Sequence, residues 1–281
     1  VLVFAAAIVS AGNTLADDNT AKRPNFLVIL ADDLGRELLD CYGGQTGYDT
    51  PRINQLAAEG LRFDHCYATP LCTPSRVEIL TGQYSFHNYL RWGELQPGEV
   101  TFANHLMRAG YATAFAGKWH MGGWESNPPE IARAGFGEYF SYDAAQVLAD
   151  SQRGLGNRYW GGAYIENGRT SKLDRYGPDV RCDFLIDFMR RHRDAPFLAY
   201  FCLSAMHRPF HPTPAHPDAP AAGEQPPAAW MTSRGEAENF APMLNYADGL
   251  VGRLLAALDE LQLAENTVVI FTADNGTDNK G

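Results

Sequence analysis

Asn25-Phe26-Leu27-Val28-Ile29-Leu30-Ala31-Asp32-Asp33 is the stretch that sets the fold. From Phe26 to Ala31 the apolar character is unbroken. A strand with one wet face alternates polar and apolar side chains, so a continuous apolar run marks a strand covered on both faces, as in a parallel sheet. Residues 196–203 and 267–273 repeat the pattern, and 111–116 repeat it more weakly. Helical spacing of apolar residues fills the intervals at 51–59, 75–81, 101–108, 179–191 and 241–261. In the last of these Met243, Leu244, Ala247, Leu250, Val251, Leu254, Leu255 and Leu258 share one face. Strands alternating with helices predict an α/β sandwich with a large, mostly parallel central sheet flanked by helices. The proline-rich stretch 209–230 reads as an irregular surface excursion, and 159–169 as a Gly-rich hairpin or loop.

Composition narrows the class. The chain has 281 residues, 45% hydrophobic and 20% charged, with 23 Lys+Arg against 33 Asp+Glu for a net charge of −10. This excludes disordered, collagenous and small disulfide-scaffold chains. With no Lys/Arg-rich run, there is no basic face for counterion release, and nucleic acid is not an expected partner. The opening apolar run fades into small residues, and Thr14-Leu15-Ala16 precede Asp17-Asp18 like a cleavage site. Residues 1–20 therefore read as a partial signal peptide and leader, with 21–281 as one catalytic domain cut short on its C-terminal side. The run is too short to span a bilayer, so the expectation is an exported, periplasmic or extracellular protein without stable membrane insertion. Cys41, Cys66, Cys182 and Cys202 could pair in such a compartment in a connectivity that spacing does not give; Cys202, inside a strand, reads better as a buried thiol.

Each predicted strand runs into reactive side chains. Asp32-Asp33 follow the first, Lys118-Trp119-His120 the weak one, His207 the next and Asp274-Asn275 the last. Taken singly, the Asp pairs are ordinary turn or cap residues and a lone histidine is usually structural. Together they form a rim, because open α/β sheets bind ligands outside the carboxyl ends of their strands. Asp32, Asp33, Asp274 and Asn275 offer only oxygen, which suits Ca²⁺ or Mg²⁺ and not zinc, with further oxygen needed from elsewhere.

Between these strand ends lies Cys72-Thr73-Pro74-Ser75-Arg76-Val77-Glu78-Ile79-Leu80-Thr81-Gly82. It matches Cys-x-Pro-Ser-Arg-x-x-x-x-Thr-Gly, six fixed positions that would occur by chance at odds on the order of 10⁻⁵ or lower. The motif resembles the signature at which sulfatases of the alkaline phosphatase superfamily have a cysteine oxidised to formylglycine. Residues 23–33, the helix at 50–60, Gly117-Lys118-Trp119-His120, Ser204-Ala205-Met206-His207-Arg208-Pro209 and Thr272-Ala273-Asp274-Asn275-Gly276 resemble further blocks of that family, in the same order.

The resemblance implies an alkaline-phosphatase-like fold and a sulfuric ester hydrolase acting on sulfate monoesters of a carbohydrate or aryl alcohol. It implies one divalent cation, Ca²⁺ before Mg²⁺, held by Asp32, Asp33, Asp274, Asn275 and the modified Cys72. It casts Arg76 and Lys118 as stabilisers of nucleophile and sulfate, His120 as the base that collapses the intermediate and His207 as the acid for the leaving alcohol. The implied partners are a small-molecule or glycan sulfate ester and a formylglycine-generating enzyme. A phosphomonoester or phosphonate-ester hydrolase of the same superfamily, and an inactive fragment or binding module, are the alternatives. The family's second lysine lies well downstream, and Lys280, five residues past Asn275, is not assigned that role. His211 is a minor candidate at the pocket mouth, and Ser141 and Asp143 sit near a sulfate-contacting position of the family. His65, His87, His105 and His192 carry no partner pattern.

Overall fold

The computed structural model describes residues 2–5, 22–44, 48–122, 129–142, 144–221, 224–232 and 237–277. Five parallel strands form the centre of its sheet: β2 (Asn25–Ala31), β4 (Ala112–Lys118), β5 (Glu138–Tyr142), β8 (Phe197–Cys202) and β9 (Thr267–Ala273). With β1 (Leu2–Ala5), β3 (Leu61–Arg62), β6 (Ala163–Glu166) and β7 (Arg169–Lys172), the order is β3-β1-β9-β2-β8-β4-β5-β6-β7. The outer strands pair antiparallel. Thus Leu2–Ala5, read from sequence as part of a leader, lie beside β9. The β6–β7 hairpin turns through Asn167 and Gly168, both at positive φ, as the tight turn between right-twisted strands requires.

Both faces of the central strands are covered, which is why the runs read as continuous. Leu27 and Ile29 point into a core built with α1 (Pro51–Glu59), α7 (Gly177–Arg191) and α8 (Phe240–Glu260). Val28 and Leu30 point into a second core with α2 (Cys72–Thr81), α4 (Phe102–Arg108) and α5 (Glu130–Arg133). α3 (Ser85–Asn88) and α6 (Ala144–Gln152) lie in the connections. No helix among the described residues is long and apolar enough to cross a membrane.

The 72–82 motif is one complete helix with its stops. Cys72 is its first residue, Pro74 falls in the first turn where a missing N–H costs nothing, and Gly82 closes it at φ 67°. The sequence pattern places the helix start at Ser75; the helix begins three residues earlier because proline is tolerated throughout that turn. Register brings the strand ends together. Ala31 is aligned with Ala273, Leu30 with Cys202 and Cys202 with Gly117, so all these strands end on one edge.

Candidate active site

That edge gathers the predicted residues. Asp32 and Asp33 leave β2, Lys118 ends β4 with His120 two residues on, and Asp274 and Asn275 leave β9. The first turn of α2 supplies Cys72 and, one turn later, Arg76. Arg76 is 1% exposed. Its Nε donates to Asp274 Oδ2 at 3.0 Å, Nη1 to the Lys118 carbonyl at 2.8 Å and Nη2 to Asp32 Oδ1 at 3.2 Å. Lys118 Nζ donates to both Asp32 oxygens at 2.7 Å. One helix and three strand ends are thereby tied by charge-assisted hydrogen bonds, the strongest kind available.

Electrostatics follow from this packing. Burial by itself would raise the Asp32 pKa, but the adjoining Lys118 and Arg76 charges outweigh it and hold the carboxyl well below its usual range. Asp274 is pushed up to about 7 by burial and by Asp32, against the pull of Arg76. His120 is lowered to about 4 by burial and by the charges of Lys118 and Arg76, so it is a neutral base at physiological pH. Burial also raises the Cys72 thiol, whose Sγ lies 3.3 Å from His120 Nδ1. An unmodified Cys72 is thus not a poised thiolate.

Asp32, Asp33 and Asp274 bring one oxygen each within 4.8 Å of one another. Asn275 donates from Nδ2 to Asp33 Oδ1 at 2.6 Å, while its buried Oδ1 has no hydrogen-bond partner. An orphaned buried carbonyl beside three carboxylates is a donor set that fits a hard divalent cation. The Cys72 sulfur stands outside this oxygen cluster. Backbone strain marks the same rim: Asp33, His120 and Met206 adopt φ of 57°, 55° and 78°. Such conformations cost on the order of 1–3 kcal/mol each and persist where surrounding structure imposes them.

His207 sits half-buried, its Nε2 3.9 Å from Asp33 Oδ2, on a turn pinned by the Tyr159 hydroxyl, which donates to the Ser204 carbonyl at 2.6 Å. Burial lowers its pKa, with Arg158 and Lys118 acting in the same direction and Asp32 against them. A cavity of about 530 Å³ opens among Lys118, His120, Tyr142, Arg158 and His207. Ser141 lines it too, its hydroxyl donating to the Gly117 carbonyl at 2.8 Å. Asp143 and Lys280 lie outside the described residues. His211 is 1% exposed and belongs to the cavity wall beside Asn157, a correction to its expected place at the mouth. All five cysteines are free, so the pairing considered for Cys41, Cys66, Cys182 and Cys202 is absent. Cys182 and Cys202 are buried, and Cys202 is the strand-interior thiol expected.

Sequence reasoning missed Arg158 and Trp92. Trp92 stands edge-on to His120 with ring centroids 5.6 Å apart, and Arg158 reaches the turn that carries His207. Neither belongs to a spaced motif; the only signal for Arg158 was its place in the Gly-rich segment Gly154 to Gly162.

The family model for sulfatases matches residues 24–280. The chain is 29% identical to the steryl-sulfatase of Rattus norvegicus over 353 residues, covering 96% of this chain and 58% of that protein. It is 32% identical to arylsulfatase A of Homo sapiens, covering 91% of this chain and 52% of that protein. The crystal structure of the PsFucS1 sulfatase from Pseudoalteromonas sp. superposes with a TM-score of 0.69 at 27% identity, covering 91% of this chain and 56% of that one. The chain thus spans about half the length of the curated relatives it matches. With the match running from the first parallel strand past the last, this chain belongs to the sulfatase family.

Proposed function

We propose that the chain forms the catalytic core of an exported sulfatase that hydrolyses sulfate monoesters of a carbohydrate or aryl alcohol after Cys72 is converted to formylglycine. The observation that carries this reading is the placement of Cys72 at the start of α2, beside a neutral His120 and within one helical turn of an Arg76 locked to Asp32 and Asp274. A formylglycine at this position supplies a hydrated aldehyde, one hydroxyl of which attacks sulfur while the other lets the sulfated adduct collapse with release of sulfate. Asp32, Asp33, Asp274 and Asn275 would hold a divalent cation, Ca²⁺ before Mg²⁺, which supplies positive charge for the nucleophile and the sulfate oxygens.

The protein's own residues divide the remaining work. Arg76 fixes the carboxylates and places positive charge under the nucleophile. Lys118 faces the cavity from the same cluster and offsets charge on the transferring group. His120, kept unprotonated by its surroundings, accepts the proton of the second hydroxyl. His207, beside Asp33 in the cavity lining, is the proton donor to the departing alcohol. Each transfer is worth about 10² to 10⁴ in rate.

Peptide mass spectrometry across Cys72, after co-expression with a formylglycine-generating enzyme, tests the reading. Conversion lowers the peptide mass by about 18 Da, and the converted protein should hydrolyse sulfate esters while Cys72→Ala, still folded, should not. Conversion without turnover of any sulfate ester, or turnover retained in Cys72→Ala, would refute the proposal.

A further inference from the structure

We infer that Arg158 reads a second negative charge on the substrate, so that the preferred sulfate esters are sugars bearing another anionic group, a second sulfate or a carboxylate, beside the one cleaved. This inference rests on the sulfate-ester reading of the same site.

The positive charges that serve the reacting group are already committed: Lys118 to both oxygens of Asp32, and Arg76 to Asp32 and Asp274. Arg158 is a further cation in the same cavity, and no carboxylate pairs with it among the described residues. Its Nη2 donates to the His207 carbonyl at 2.5 Å and to the Arg208 carbonyl, and its guanidinium lies 4.9 Å from the Tyr159 ring centroid. Its buried Nε has no hydrogen-bond partner. Arg158 is partly exposed, and behind it stands a second guanidinium that is buried. Arg181 is 1% exposed, donates from Nη2 to the Arg158 carbonyl at 2.7 Å and lies 4.8 Å from the Tyr142 ring centroid, yet its Nε and Nη1 are unpartnered. The Tyr142 hydroxyl, on a residue of the cavity lining, is unpartnered as well.

Guanidinium groups removed from water are normally paired with carboxylates. In a chain of net charge −10, the described residues lining this cavity include no Asp or Glu. The missing counterion therefore arrives with the ligand, and a guanidinium fork suits the oxygens of a sulfate or carboxylate. The cleaved sulfate is met at the Lys118–Arg76 cluster, so Arg158, outside that cluster, is left for another anion.

The test compares a monosulfated neutral hexose with the same hexose carrying a second sulfate, in the parent, Arg158→Gln and Arg158→Lys. The matured parent should favour the bis-sulfated sugar in kcat/KM, Arg158→Gln should reduce that preference by about 10- to 150-fold, and Arg158→Lys should restore part of it. A role confined to holding the His207 turn would lower both sugars alike; an unchanged preference ratio, with or without loss of rate, overturns the inference. Calorimetric binding of the two sugars to protein with Cys72 left as the thiol separates the readings. An Arg158-dependent preference in binding with no turnover after maturation would support the inference and sink the sulfatase reading. Turnover of both sugars with a ratio indifferent to Arg158 would do the reverse.

Discussion

Arg76→Met removes one member of a buried four-residue ion cluster and nearly preserves its volume. Breaking a buried pair by deleting one partner costs about 3–5 kcal/mol, because the surviving charge is left uncompensated. Here the two carboxylates do not suffer equally. Asp32 keeps Lys118 on both its oxygens, so the deficit falls on Asp274, which loses its Arg76 contacts at 3.0 and 2.9 Å. Asp274 already has its pKa raised to about 7, and without Arg76 it rises further. A carboxyl whose folded pKa exceeds its unfolded value contributes stability that is lost as pH rises through the folded value. At pH 6 Asp274 is largely protonated in both proteins, so only its hydrogen bonds to Arg76 are lost, at about 1–3 kcal/mol; at pH 8, where the parent holds a charged pair, the loss should reach about 3–5 kcal/mol. At 2–4 °C per kcal/mol the loss at pH 8 corresponds to a drop in Tm of about 6–20 °C. Thermal and urea unfolding followed by far-UV circular dichroism, without added divalent metal, measure it. A variant within 1 kcal/mol of the parent at pH 8, or a larger loss at pH 6 than at pH 8, would show that the cluster does not clamp these strand ends.

Gly117→Ala should leave the protein largely insoluble, because a Cβ there would sit 1.9 Å from the Cys202 carbonyl oxygen at a φ of +122°; a soluble variant with the parent's Tm would contradict the close β4–β8 approach beneath Lys118. Ca²⁺ at about 100 times its Kd should stabilise the protein by about 2.7 kcal/mol, and Asp33→Ala should abolish that increment in a thermal-shift titration; equal shifts in both proteins would place the ion elsewhere. His211, lowered to about 4 chiefly by burial, binds its proton more readily in the unfolded chain, so stability should fall by about 2 kcal/mol between pH 7 and pH 5 on its account. His211→Gln should flatten that part of the urea-midpoint profile, and an unaltered profile would mean that the imidazole is protonated in the folded protein.

The sequence was most legible where burial is two-sided. Residues 25–31 and 267–273 become β2 and β9 with the expected bounds, since both faces of each strand meet a helical layer and no solvent-facing residue interrupts the run. Residues 51–59 become α1 because Pro51 opens the helix and Ile53 and Leu56 form its buried stripe. β5 escaped notice: Glu138-Tyr139-Phe140-Ser141-Tyr142 owes its strand state to pairing with β4, a long-range contact that no local pattern announces. The rim was legible for a related reason. Apolar strands must end in polar residues, so Asp32, Lys118 and Asp274 stood out against their own runs. Arg158 had no such background, because its position depends on how the 154–162 segment folds over the His207 turn.

Formal charges in the rim explain why cations and carboxylates are gathered so closely. Arg76 and Lys118 contribute two positive charges, and Asp32, Asp33 and Asp274 three negative ones, leaving −1 when all are ionised. An anionic ester entering that cluster would be repelled, and a proton on Asp274, whose pKa is raised chiefly by burial, would partly relieve the imbalance. A divalent ion held by the same oxygens would turn −1 into +1 and remove any reason for Asp274 to keep a proton. One net positive charge matches the single negative charge of a sulfate monoester. A phosphate monoester, with a second pKa near 6, carries almost two at neutral pH and would leave the filled site negative again. The count favours sulfate over phosphate through charge alone, and it places the demand for a second anion on Arg158, outside the cluster, where a further positive charge remains.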